Sequence, residues 1–321
     1  MISGCEDTHN CTNKTTNART FFNKRPQVIN DKEKSITFTA VKTIAMITFP
    51  NAKINLGLDV VEKRPDGYHN LETVFYPIPL CDILEITPAK ELDAPDYTFK
   101  MYNAVFEGSD DDNLVIKAYK ALAADHKLPK VKISLYKHIP TGAGLGGGSA
   151  DAAFALKMLN EIAGLGLGSE ELCAYASRIG ADCAFFIDNT PAYATGIGNI
   201  LTPTACSIEG YHLVLVKPDI HVSTKDAYAL VTPQKPEESL TEIAKRHINE
   251  WNGAMKNDFE KSIFAKYPAM ERIKEQLYAM GAVYASMSGS GSSFFGIFNE
   301  EQDIEKIKAL FPGMFCWCKK M

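Results

Sequence analysis

Residues 138–151 read HIPTGAGLGGGSAD and place five glycines among the seven positions 142–148. Glycine loses more conformational freedom on folding than any other residue, so this loop is costly unless something must approach its backbone closely. The preceding segment, KVKISLYKHIP (130–140), alternates apolar and polar residues and predicts a strand. The glycine loop therefore follows a strand, and its backbone is a candidate contact surface for a ligand.

A helix is predicted directly after this loop. The segment SADAAFALKMLNEIAG (149–164) contains strong helix formers with apolar residues at helical spacing, and Ser149 and Gly164 stand where an N-cap and a C-cap belong. A glycine-rich turn at a helix N-terminus directs backbone N–H groups and the positive end of the helix dipole at one point, which suits phosphate. A tight turn without a ligand remains the simpler alternative.

Two common nucleotide motifs fit this loop poorly. No Gly-Lys-Ser or Gly-Lys-Thr follows, so it is not a Walker A loop. The letters GAGLGG (142–147) satisfy the dinucleotide pattern G-x-G-x-x-G, but such a site also needs an acidic residue about 20 positions further on. Glu161 and Glu170 both fall in helical segments. A dehydrogenase is therefore disfavoured.

A lysine and an aspartate are the first candidates for chemistry beside the loop. In AKINLGLDV (52–60) the alternation predicts a half-buried strand on which Lys53 and Asn55 share one face. In GSEELCAYASRIGADCAFFID (168–188) a predicted helix ends before Asp182, which then enters an apolar strand. A buried carboxylate needs a cation or a hydrogen-bonding ligand. Lys53 is the candidate partner, while a turn aspartate and an exposed strand lysine are the alternatives.

A second glycine loop lies near the C-terminus. The segment SMSGSGSSFFGIF (286–298) separates two strand-like runs and follows a predicted helix, AMERIKEQLYAM (269–280). This loop could pack against the first and close over phosphate. Serine-glycine repeats also occur in plain hairpins, so both interpretations stay open.

Composition excludes several classes of protein. The formal net charge of −5 over 321 residues argues against a nucleic-acid binder with a broad basic face. Eight cysteines without a C-x-x-C pair indicate free thiols in a reducing cytoplasm rather than a zinc site or a disulfide framework. No apolar run approaches the roughly 18 residues of a membrane span. Residues 1–45 lack periodicity and are predicted to be a disordered extension, with the fold beginning at Met46.

These motifs together resemble the GHMP small-molecule kinases. The resemblance rests on PTGAGLGGGSADAA (140–153), on the strand-borne lysine and asparagine upstream of it, and on the SGSGSS loop (288–293). It implies a two-domain α+β fold with a ribosomal-protein-like N-terminal domain, a ferredoxin-like α/β C-terminal domain and an active site in the cleft. We expect the two domains to span residues 46–205 and 206–321.

The resemblance also implies roles for individual residues. Asp182 would be the catalytic base and Lys53 would lie beside it. ATP with Mg²⁺ would be the phosphoryl donor, and Ser149 could contact the metal ion. The implied ATP-binding residues are Pro140, Gly142, Gly144, Leu145, Gly146, Gly147, Gly148, Ser149, Asn113 and Lys137. Asn113 and Lys137 are the weakest of these, because a helix cap or a solvated charge would explain them equally well.

Two further segments, PNAKINLGLDVVEKRPDGYHNLETVFYPIPLCDILEI (50–86) and GADCAFF (180–186), are similar to one branch of the family. That branch phosphorylates the 2-hydroxyl of a cytidyl-linked methylerythritol in isoprenoid precursor synthesis. The resemblance implies a small-molecule acceptor and a monomer or homodimer. The implied acceptor-binding residues are Asn55 for the polyol, Tyr68 and Tyr228 for stacking on cytosine, His69 for its edge, and Gly289, Ser290 and Gly291.

Other functions stay open at this point. A different GHMP kinase, of homoserine or mevalonate type, would keep both glycine loops and Asp182 but lack the Asp-Gly-Tyr-His segment at 66–69. A non-catalytic nucleotide-binding module would need no base at all. The chain also departs from its relatives at Cys183 and Ala184, where valine or isoleucine and proline are common. That departure puts the rate in doubt rather than the activity.

Overall fold

The computed structural model of the protein describes residues 45–89, 93, 95–104 and 108–321. The predicted extension over residues 1–45 lies outside the described residues, apart from its last position. Residues 44–321 form one compact unit. Within the described ranges, no helix combines the length and the apolar character that crossing a bilayer requires.

Two four-stranded sheets are built from the region before residue 205. Their strands are β1 (Met46–Thr48), β2 (Asn51–Lys63), β3 (His69–Cys81), β4 (Ile83–Pro88), β5 (Tyr97–Tyr102), β6 (Val131–Tyr136), β7 (Ala192–Thr195) and β8 (Ile200–Pro203). The first sheet has the order β1-β4-β6-β5, with β5 and β6 parallel and the other neighbours antiparallel. The second sheet is antiparallel and has the order β2-β3-β7-β8.

A third sheet lies in the C-terminal part. Its strands are β9 (His212–Lys217), β10 (Tyr284–Met287), β11 (Phe294–Phe298) and β12 (Phe315–Lys320). The sheet is antiparallel, and its strand order is β10-β11-β9-β12.

Helices pack on these sheets. Those of the N-terminal part are α1 (Leu114–Asp125), α2 (Gly147–Ala163), α3 (Ser169–Ile179) and α4 (Phe185–Asp188). Those of the C-terminal part are α5 (Thr224–Tyr228), α6 (Leu240–Ile243), α7 (Phe259–Lys266), α8 (Pro268–Ala279) and α9 (Ile304–Leu310). Short 3₁₀ helices cover Asp110–Asp112 and Ile248–Glu250.

Strand β2 lies between two layers of the molecule. Ile54 and Leu56 belong to a core cluster that also contains Leu215 and Phe295 of the third sheet. On its other face, Lys53 is 3% exposed. The prediction of a half-buried strand is therefore wrong, because both faces of β2 are covered, and the alternative of an exposed strand lysine does not hold for Lys53. The predicted domain boundary near residue 205 stays a proposal, since this core cluster draws on both sides of it.

Two local predictions near the glycine loop are also wrong. Helix α2 begins at Gly147 with Gly146 as its N-cap, so Ser149 lies inside the first turn rather than at the cap. Gly146 adopts a φ of +69°, which glycine tolerates without strain. After Asp182 the chain forms a turn and then the short helix α4, not an apolar strand. The predicted C-cap at Gly164 is confirmed.

Candidate active site

The glycine loop forms one wall of a cavity of about 350 Å³. Residues 140–149 line it with the backbone of the loop, and Met101, Leu114 and Leu135 contribute apolar side chains to the lining. Gly142, Gly144 and Gly146 have φ values of +63°, +77° and +69°, which side chains would disfavour. The loop thus offers a nest of backbone groups next to an apolar pocket, which suits a nucleotide with its phosphates at the N-terminus of α2.

The second glycine loop packs directly against the first. A Cβ on Gly144 would lie 2.0 Å from the Ser288 carbonyl oxygen, and one on Gly291 would lie 2.2 Å from the Gly144 backbone nitrogen. The Ser293 backbone N–H donates to the Ala143 carbonyl oxygen over 3.2 Å. Glycine is therefore required at positions 144 and 291, because the two backbones touch there.

Lys53 and Asp182 meet beside this pair of loops. Lys53 Nζ lies 3.4 Å from Asp182 Oδ2, and the lysine side chain is 4% exposed while that of Asp182 is 33% exposed. A Cβ on Gly146 would lie 3.2 Å from Lys53 Cγ, and the Lys53 N–H donates to the Leu145 carbonyl oxygen over 2.9 Å. The buried ammonium can therefore act on a group held by the loop, while the carboxylate remains partly exposed to solvent.

A chain of hydrogen bonds fixes the orientation of Lys53. Lys53 Nζ donates to Asn55 Oδ1 over 2.7 Å, and Asn55 Nδ2 donates to Thr73 Oγ1 over 2.9 Å. The Thr73 hydroxyl in turn donates to the Gly57 carbonyl oxygen over 2.6 Å. Lys53 Nζ also lies 4.6 Å from the centre of the Phe75 ring. The ammonium is thus held in place before any ligand arrives.

The aromatic candidates form a second cluster. The ring of His69 stacks on that of Tyr228 with centroids 4.6 Å apart, and Tyr228 packs edge-on against Phe259 at 4.7 Å. Burial and then the nearby Lys63 ammonium lower the pKa of His69. Tyr68 is 64% exposed in the turn before β3. The structure therefore places His69, not Tyr68, against Tyr228.

Asn113 and Lys137 both line the nucleotide-sized cavity and both have structural partners. Asn113 is the N-cap of α1, where its side-chain oxygen accepts a hydrogen bond from the Val115 N–H. Lys137 forms buried ion pairs with Asp82 and Asp151. Their predicted contacts with a nucleotide stay predictions, and their bonds within the protein explain their positions.

Several residues of this region were missed in the sequence. Asn257 Nδ2 donates to the carbonyl oxygens of Met287 and Gly289 and so supports the second loop. Asp82 and Asp151 lie buried beneath the first loop. A possible signal for Asp82 was a charged residue between two apolar strands; Asn257, in contrast, stands in no recognisable pattern.

The departure at Cys183 has a structural role. Cys183 is fully buried, and burial raises the pKa of its thiol to about 11, with a hydrogen bond to Ser149 acting in the opposite direction. This contact connects the turn that carries Asp182 with the first turn of α2. The thiol therefore takes part in packing and stays protonated at neutral pH.

Comparisons with known proteins agree with this geometry. The GHMP kinases N terminal domain matches residues 113–196, and the GHMP kinases C terminal domain matches residues 239–312. A protein of Bacteroides fragilis named 4-diphosphocytidyl-2-C-methyl-D-erythritol kinase is 58% identical over 274 residues, covering 85% of this chain and 98% of the relative.

Solved structures are also similar to this chain. A crystal structure of 4-(cytidine 5'-diphospho)-2C-methyl-D-erythritol kinase superposes with a TM-score of 0.72 and 32% identity, covering 85% of this chain and 98% of the other. A homoserine kinase from Cytophaga hutchinsonii has a TM-score of 0.55 at 15% identity, covering 90% of this chain and 96% of its own. The second similarity shows the fold alone.

Proposed function

The chain belongs to the 4-diphosphocytidyl-2-C-methyl-D-erythritol kinases, a branch of the GHMP kinases, and we propose that it transfers the γ-phosphoryl group of ATP to the 2-hydroxyl of 4-diphosphocytidyl-2-C-methyl-D-erythritol. This reaction is a step of the non-mevalonate route to isoprenoid precursors. One observation supports the proposal most strongly: the Lys53 ammonium and the Asp182 carboxylate lie 3.4 Å apart, beside the glycine loop.

Asp182 acts as the general base in this proposal. Its carboxylate accepts the proton of the acceptor hydroxyl as the oxygen attacks the γ-phosphorus, and the bond from that phosphorus to the ADP oxygen breaks. The partly exposed Asp182 side chain can reach a bound hydroxyl. Lys53 stabilises the negative charge that develops on the transferring phosphoryl group, and its hydrogen bond to Asn55 aims it there.

The two glycine loops bind the two substrates in this proposal, the first ATP and the second the acceptor. Backbone N–H groups of residues 142–149 hold the triphosphate at the N-terminus of α2, and Pro140 and Leu145 shape the entry and the middle of the loop. Gly289, Ser290 and Gly291 close over the acceptor side, because the second loop already contacts the first.

The aromatic cluster of His69 and Tyr228 is the site that we propose for the cytosine of the acceptor. We infer that cytosine stacks on Tyr228, that His69 binds its edge, and that Tyr68 closes over it from the exposed turn. The His69 ring must leave its stack on Tyr228 for that arrangement. Asn55 contacts the polyol in addition to holding Lys53.

Mg²⁺ would accompany ATP. The described residues contain no cluster of three or more His, Cys, Asp or Glu side chains that could hold a metal ion, so a dedicated protein cage is not what the site offers. The Ser149 hydroxyl, in the first turn of α2, fits a single oxygen ligand beside phosphate. When bound, the ion neutralises phosphate charge.

We also propose a cytoplasmic monomer or homodimer with domains at 46–205 and 206–321. Five cysteines, Cys173, Cys183, Cys206, Cys316 and Cys318, are free thiols, which suits a reducing compartment.

The direct test of the mechanism compares the wild type with Asp182→Asn. With the cytidyl acceptor and ATP, we expect kcat to fall by about 10³-fold or more, while the affinity for ATP stays within twofold, because only proton removal is lost. An Asp182→Asn enzyme with a wild-type kcat would exclude Asp182 as the base.

A further inference from the structure

Three charged side chains are buried together beneath the phosphate loop. Asp82, Lys137 and Asp151 are 0%, 5% and 1% exposed. Lys137 Nζ donates to Asp82 Oδ2 and, over 2.7 Å, to Asp151 Oδ2. Asp82 lies between β3 and β4, Lys137 directly follows β6, and Asp151 belongs to α2. The three therefore connect elements that are distant in the chain.

This cluster reaches both ends of the glycine loop. Asp82 Oδ1 accepts hydrogen bonds from the backbone N–H groups of His138 and Ile139, over 2.5 and 2.8 Å, in the segment that enters the loop. Asp151 lies one turn into the helix that leaves it. A Cβ on Gly147 would lie 3.3 Å from Lys137 Nζ, so the lysine also supports the start of α2 from below.

We propose that Asp82 is a positioning residue for ATP, which fixes the separation of the two ends of the phosphate loop through the backbone of 138–139 and through Lys137 and Asp151. This inference rests on the proposed kinase function. Asp82 is fully buried, so it touches neither ATP nor the acceptor and acts only through the loop. Small displacements of such a loop are costly, since about 1 Å of misplacement can change rates by about 10²-fold.

The charge of the cluster adds a second consequence. Two carboxyl groups face one ammonium, and Asp151 Oδ1 has no hydrogen-bond partner among the described residues. Burial raises the pKa of Asp151 to about 7. The Lys137 ammonium acts to lower this pKa, and the Asp82 carboxylate acts to raise it further. Burial would lower the pKa of Lys137, but the two carboxylates outweigh it and raise the value. As pH rises through about 7, the cluster therefore gains a negative charge below the bound phosphates, and ATP should bind more weakly.

The first experiment measures the KM of Asp82→Asn for ATP and for the acceptor. The matched control is Asp59→Asn, an equally buried aspartate on β2 without a contact to the loop. We expect the KM for ATP to rise at least about tenfold in Asp82→Asn, with the acceptor KM within twofold and the control unchanged for ATP. An unchanged KM for ATP, or an equal rise for both substrates, would overturn the proposal.

A second variant keeps the test open should Asp82→Asn fail to fold. Asp151→Asn keeps an oxygen for Lys137 but removes the titration, so its KM for ATP should vary less between pH 6 and pH 9 than that of the wild type. An unchanged pH profile would contradict the role of the cluster.

Calorimetric titration with a non-hydrolysable ATP analogue gives the same comparison without any acceptor. Weak analogue binding confined to the variants would support the positioning role even if no acceptor were phosphorylated, whereas failed transfer by the wild type would reject the proposed function alone.

Discussion

The Ser288 hydroxyl donates a hydrogen bond to the carbonyl oxygen of Gly144 over 3.0 Å, across 144 positions of the chain. The Ser288 hydroxyl also accepts a hydrogen bond from the Asn55 backbone N–H over 3.2 Å. The two glycine loops and strand β2 thus meet at one serine. This meeting point places the phosphate loop, the second loop and the strand that carries Lys53 in fixed contact.

Gly144→Ala should disrupt this contact. The new Cβ would lie 2.0 Å from the Ser288 carbonyl oxygen, and the φ of +77° disfavours a side chain as well. We expect the free energy of unfolding to fall by about 2 kcal/mol or more. Gly148→Ala is the control, since its Cβ would meet nothing closer than 3.6 Å in a helical conformation. Chemical denaturation that shows equal losses for the two variants would refute the close approach.

Lys53→Met should separate catalysis from folding. Methionine fills the same buried space but cannot stabilise charge on the transferring group or bind Asn55. We expect kcat to fall by about 10² to 10³ with the thermal midpoint nearly unchanged. Lys63→Met, at the exposed end of the same strand, should keep the wild-type kcat in the same steady-state assay. A large loss in Lys63→Met would point to a general effect of charge.

Tyr228→Leu should weaken binding of the acceptor and leave binding of ATP unaffected. Loss of the aromatic platform removes stacking worth about 1–3 kcal/mol per base, so the acceptor KM should rise about 5- to 150-fold. Tyr136→Leu, an exposed aromatic on the first sheet, is the comparison. Initial rates at varied acceptor concentration give both values. If Tyr228→Leu instead raised the KM for ATP, Tyr228 would contact ATP, and its proposed place beside the acceptor would be contradicted.

Asp59→Asn should change stability in a pH-dependent way. Burial, and then the Asp258 carboxylate, raise the pKa of Asp59 from 3.8 to about 6. The folded state therefore holds this proton more tightly, and the stability it contributes is present below pH 4 and lost as pH rises through about 6. The variant should be more stable than the wild type at pH 8, by up to about 3 kcal/mol, and equal to it at pH 4. Urea titrations at pH 4 and pH 8 measure the free energies of unfolding of both proteins. A difference between variant and wild type that does not grow with pH would contradict the raised pKa of Asp59.

The sequence analysis was most successful where a motif reports a local backbone requirement. The glycine loop between a strand and a helix was predicted from the run at 142–148, and the GHMP kinase family and its α+β fold are confirmed by the matches over both domains. The meeting of Lys53 and Asp182 was expected as well. Glycine patterns are informative because few other residues can adopt those conformations.

Predictions were weakest where contacts distant in the chain decide the outcome. An apolar run such as 183–188 fits a strand or a helix equally well, and packing made it the short helix α4. The depth at which Lys53 lies depends on the glycine loop, which packs against it through Leu145 and Gly146 from a distant part of the chain. The position of Asp82 between two apolar strands could mark it as unusual but could not identify its partner, because Lys137 is 55 positions away.

One competition assay tests the central claim most directly. Wild-type protein is given ATP with equal concentrations of 4-diphosphocytidyl-2-C-methyl-D-erythritol, homoserine, mevalonate and galactose, and the phosphorylated products are separated. We predict that the cytidyl compound alone is phosphorylated, at its 2-hydroxyl, because the stacked rings of His69 and Tyr228 offer an aromatic surface for cytosine that the other three acceptors cannot use. Preferential phosphorylation of another acceptor would contradict the assigned substrate, and absence of transfer to all four would contradict the kinase itself.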